Sequence, residues 1–161
     1  MPHPPLSRRL ALGAGLGLLA TLAGCGTLNR PSAIAGDETA AALPAVNALR
    51  KSRGLPALSL DPVAARAAAH QAKRMASNGK MSHLIGFGDD FGKRMKAHDV
   101  KLPAAENIAA GQANTADAVT AWINSPKHLA NMLGNYRGLG VAVARDPSSG
   151  NRPYWAMVLS N

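Results

Sequence analysis

Apolar residues from Asp61 onward recur at helical spacing. Ala64, Ala65, Ala68, Ala69, Ala72, Met75 and Ala76 share one face at about 100° per residue, with Arg66, His70, Lys73, Arg74 and Ser77 opposite. Asp61 is a helix cap, Pro62 suits the first helical position, and Asn78-Gly79 closes the end. An alanine face of this kind lets another backbone approach closely. A preceding helix is predicted over Ala40 to Ser52, with Pro44 marking its effective first turn and Gly54 its stop. Phe91 to Ala97 forms a short helix inside a glycine-broken segment. "ADAVTAWIN", capped by Asn114 or Thr115, turns Ala118, Val119, Trp122 and Ile123 to one side. Ser125-Pro126 repeats the cap-plus-proline signal and starts a helix to about Leu133, with Leu129, Met132 and Leu133 as its stripe.

The period then shortens. "GLGVAVAR" alternates as a strand, "DPSSGNRP" is a turn, and "YWAMVLS" is apolar on both faces, as in a strand covered on both sides. Glu106 to Ala109 supplies a third strand. The predicted class is α+β: a small three-stranded antiparallel sheet between helical layers.

The N-terminus is of a different kind. Arg8 and Arg9 precede an uncharged apolar run from Leu10 that is too short for a comfortable membrane span. The run ends in Leu22-Ala23-Gly24-Cys25, which resembles a bacterial lipobox. Residues 1–24 therefore read as a lipoprotein signal peptide, Cys25 as the lipidated residue, 25–38 as a tether and 39–161 as one folded domain. Gly26, where an inner-membrane retention signal has aspartate, favours the outer membrane. Cys25 is the only cysteine, so the domain is held by its core without disulfides. The chain carries a net charge of +9 and stays basic after loss of Arg8 and Arg9. No aromatic–basic ladder is present to stack bases, so nucleic acid is not an expected partner; membrane lipid and wall polymers are.

Candidate chemistry begins at "AAENIAAG". Glu106 sits among alanine, isoleucine and an amide, and a carboxylate there needs a partner. His3 lies in the signal segment, His70 reads as a solvated helix residue and His98 as an exposed loop residue. His83 and His128 remain, both at segment ends beside apolar runs. An imidazole of either can donate to the carboxylate.

Several blocks together resemble the CAP superfamily of cysteine-rich secretory, antigen 5 and pathogenesis-related proteins, in its short bacterial form. They are "VNALRKSRGLPALSLDPVAARAAAHQAKRMASNGKMSH", "AENIAAG", "AVTAWINSPKHLANML" and "GLGVAVA", covering about Ala42 to Leu159. The resemblance implies an α-β-α sandwich with a central cleft. It puts His83, Glu106 and His128 at the cleft, Asn107 beside the glutamate, Ser125 nearby and Trp122 in the core. It departs from the larger eukaryotic members. Asn124 and Ser125 stand near their second glutamate, "RGLGVAV" has no histidine, Met157 replaces a frequent glutamine, and the disulfides are absent.

Some relatives hold a divalent metal such as zinc between cleft histidines, and others bind sterols, fatty acids or other lipids. His83, His128 and Glu106 can give zinc three ligands and an open position; the same set can instead organise the cleft by hydrogen bonds alone. The expected function is an exported, envelope-anchored lipoprotein with a lipid- or metal-binding cleft. The alternatives are a metal-dependent hydrolase of peptide or wall material and a surface scaffold. A serine route through Ser125 is disfavoured, since the cap position accounts for that residue.

Overall fold

A computed structural model describes residues 33–161, together with Met1. The predicted signal segment, Cys25 and most of the tether lie outside the described residues.

The elements follow in the order β1 (Ile34–Asp37), α1 (Thr39–Ser52), β2 (Ser59–Leu60), α2 (Pro62–Asn78), α3 (Phe91–Ala97), β3 (Ala105–Ala110), α4 (Thr115–Ile123), α5 (Pro126–Met132), β4 (Gly138–Arg145) and β5 (Tyr154–Ser160). The sheet is ordered β1-β4-β5-β3, and β2 pairs in parallel with the start of β4. The other pairings are antiparallel. The α+β class is as expected, but the sheet has five strands rather than three.

Both extra strands escape a pattern search for physical reasons. β2 is two residues long, too short to show a period. β1 lies in the stretch read as tether, so the folded part begins before Thr39. Its small residues Ala35 and Gly36 pair with Ala144 and Val143 of β4. α1 also starts earlier than Pro44 implied, and contains that proline. Its first turn is held by one tertiary and one local contact: Thr39 Oγ1 accepts from the Val141 amide at 2.9 Å, and Asp37 accepts from the Thr39 amide at 2.8 Å.

The sheet separates two apolar layers. Ala142 and Ala144 of β4, with Tyr154, Ala156 and Val158 of β5, pack on α2 and Met95 of α3. The intervening Leu139, Val141, Trp155, Met157 and Leu159 face α1, α4 and Met132 of α5. This alternation is the strand period expressed in three dimensions. α2 lies close on β4: a Cβ at Gly140 would overlap the backbone of Ala64 and Ala65. The alanine face serves this approach. Asp61 caps α2 through the amides of Val63 and Ala64, and Gly79 closes it in the left-handed region at φ 62°. No helix among the described residues is long and apolar enough to cross a membrane.

Candidate functional site

β3 is an edge strand, and its successive side chains enter opposite layers. Glu106 points toward the α2–α3 layer and Asn107 toward α5, which places both beside the open edge.

Glu106 is buried and takes three charge-assisted contacts. Arg94 of α3 donates to Oε2 at 2.9 Å and to Oε1 at 3.1 Å, and His83 Nδ1 lies 2.9 Å from Oε1. A carboxylate only accepts, so the imidazole donates through Nδ1–H, and in the neutral ring the lone pair is then on Nε2. The His83 side chain is half exposed, whereas that of Glu106 is 2% exposed. Arg94 also donates to the His83 carbonyl at 3.0 Å, and its Nε stands 3.2 Å from Asp89. Arg74 of α2 reaches the same Asp89 carboxylate at 2.6 Å. Burial opposes ionisation of Asp89, but hydrogen bonds from Arg74 and the Ile85 amide, with both guanidinium charges, outweigh it and hold the carboxyl at about 2. Gln71 donates to the carbonyls of Ser82 and His83 at 2.8 and 3.2 Å. The segment carrying His83 is thus fastened to α2 and α3 from both sides.

The α5 side uses neutral groups. Asn107 donates to the His128 carbonyl at 3.0 Å and accepts from Asn131 at 2.8 Å. The His128 ring is partly buried, and burial, then the nearby His83, pushes its pKa below the ordinary value. The two histidines therefore approach the strand edge from opposite layers, but only His83 bonds to Glu106. A groove of about 220 Å³ runs beside His128, lined also by Met81, Ile108, Gln112, Trp122 and Ser125 among others. Trp122 is wholly buried, as expected of a core tryptophan, and its Nε1 has no hydrogen-bond partner among the described residues. Ser125 occupies the cap position of α5, yet its side chain makes no capping hydrogen bond. The cap account of this serine does not hold; Pro126 and the backbone start the helix without it.

Arg94 and Asp89 are the residues that sequence reasoning missed. A search for the partner of Glu106 confined to histidines passes over them. The available signal was the basic excess of the chain beside a lone carboxylate. A zinc ion on His83, His128 and Glu106 does not fit this arrangement, because Arg94 occupies both carboxylate oxygens. Among the described residues no three His, Cys, Asp or Glu side chains are gathered to hold a metal.

Residues 43–159 match the model of the cysteine-rich secretory protein family, CAP. The chain belongs to the CAP family. YkwD of Bacillus subtilis (strain 168) is 30% identical over 125 residues, which cover 76% of this chain and 48% of YkwD. This CAP protein thus spans about half the length of that relative. An extracellular SCP-domain protein of Bacillus anthracis str. Ames superposes with a TM-score of 0.67 at 26% identity, covering 77% of this chain and 40% of the other. An outer surface protein of Borrelia burgdorferi gives 0.64 at 21% identity, covering 74% of this chain and 88% of the other, and shares the fold.

Proposed function

We propose that this CAP protein is exported, anchored to the bacterial envelope through a lipid on Cys25, and acts as a binding module. Its ligand is a lipid or wall component with an apolar part and a polar end. The apolar part lies in the groove against Met81, Ile108 and Ala121, and the polar end meets His128. The observation that carries this reading is the apolar groove with the partly buried His128 in its wall. Extracellular and outer-surface relatives support export. The anchor faces the periplasm or lies in the outer membrane.

The test is binding of a fluorescent long-chain fatty acid to the full-length chain, with envelope lipids and wall fragments as competitors. Ala121→Phe fills the groove and is expected to weaken binding about tenfold or more. Unchanged affinity in that variant would remove the groove from the reading. Metabolic labelling with palmitate checks the anchor, which Cys25→Ser abolishes.

A hydrolase is the second reading, and the His83–Glu106 pair favours it. A buried carboxylate that fixes Nδ1–H is the arrangement that orients a general base. Turnover of peptide or wall polymer that disappears in His83→Ala would establish it over simple binding. A metal-dependent form requires Glu106 to leave Arg94 first.

A further inference from the structure

The histidines set aside in the sequence form a second cluster, on α2 and at the end of α3. His70 lies on the exposed side of α2, and His98 is the residue that closes α3. Their ring centroids are 4.6 Å apart, with the planes inclined at 56°. Neither ring has a hydrogen-bond partner among the described residues. With metal–nitrogen bonds of about 2.1 Å, two imidazoles in adjacent positions on one ion have ring centres roughly 4.5 to 5.3 Å apart. The observed spacing lies inside that interval.

We propose that His70 and His98 form a two-histidine site for a divalent transition-metal ion such as zinc, with water completing its coordination. The site is separate from the cleft: neither residue lines the groove or touches Glu106. Imidazole suits zinc, copper and nickel, and the neutral ring is the ligand form. Partial desolvation of the ring, then His98, Arg74 and Arg94, disfavour the protonated form of His70, while Asp89 acts the other way. The two guanidinium groups also repel the ion, and Asp89, ion-paired with both, reduces that repulsion.

The bound ion ties α2 to the end of α3. Those two helices carry Gln71, Arg74 and Arg94, the side chains that fasten residues 82–89 and hold Glu106. A metal at this pair therefore stiffens the frame of the cleft without entering it.

Zinc calorimetry on the full-length chain tests the site, in a Cys25→Ser background that removes a competing thiol. One zinc per chain is expected. His70→Gln and His98→Gln should each weaken binding about tenfold or more, while His83→Gln/His128→Gln leaves it in place. Imidazole nitrogen NMR should shift the signals of His70 and His98 on zinc addition. His70 is exposed, so His70→Gln should melt as the parent does without metal, which keeps loss of the site distinct from loss of the fold. No zinc binding, or binding weakened only by the His83→Gln/His128→Gln variant, would overturn the proposal.

Discussion

Glu106 and Asn107 are neighbours on β3, and the two faces of the sheet treat them differently. On the α2–α3 face, Glu106 is buried as an ion, within a network of two arginines, two carboxylates and His83. On the α5 face, Asn107 uses an uncharged amide to hold a helix carbonyl and a second asparagine. A buried ion must be matched in charge and geometry, and removing one partner strands the other in a medium of low polarity. A buried amide needs only complementary donors and acceptors. The charged face therefore fixes the position of one imidazole, His83. The neutral face fixes a helix and leaves the His128 ring free to titrate.

The largest separation between the faces should come from Arg94→Met, which leaves Glu106 without its bidentate partner. Urea unfolding should show a loss of about 3 to 5 kcal/mol. Arg94→Met/Glu106→Leu should recover much of that loss, because it removes the stranded charge with its partner. A double variant as unstable as Arg94→Met alone would mean that the network stabilises by more than mutual neutralisation. Asn107→Leu on the other face should cost less, about 2 kcal/mol, through the orphaned Asn131 amide and His128 carbonyl. It should also shift the NMR signals of α5 while leaving those of His83 in place.

The smallest effect is in pH dependence, where the faces part company again. The folded pKa of Asp89 is about 2, below its ordinary 3.8. Its contribution, on the order of 2 kcal/mol, is whole above pH 3.8 and is lost as pH falls toward 2. Asp89→Asn should remove that acid limb from a stability–pH curve. His128 also has a depressed pKa, against an ordinary 6.5, so it folds preferentially as the neutral ring. Above pH 6.5 this costs nothing. As pH falls below 6.5 the unfolded chain takes up the proton first, and stability declines. His128→Gln should reduce the slope just below pH 6.5, to which His70 also contributes, and leave the acid limb unchanged.

Much of the site was legible, and its gaps have a common cause. The sequence pointed to a buried carboxylate in need of a donor and to His83 and His128 as candidates, and His83 is indeed bonded to Glu106. It did not point to Arg94, which lies twelve residues before Glu106 on a short helix with nothing local to show that its side chain turns inward. Ser125 carries the local signature of a cap, yet its hydroxyl is not used as one. β1 and β2 were invisible because they are short and depend on β4 for their hydrogen bonds.

The sequence by itself determined the helices and long strands of this CAP domain. Caps, prolines and periodicity act within a few residues, so α2, with Asp61, Pro62 and Gly79, is written in its own segment. Tertiary structure alone decided which charges meet across layers, where the sheet ends, and that His70 and His98 come together. Those outcomes depend on distances between elements far apart in the chain, and packing of α2 and α3 on the sheet sets them.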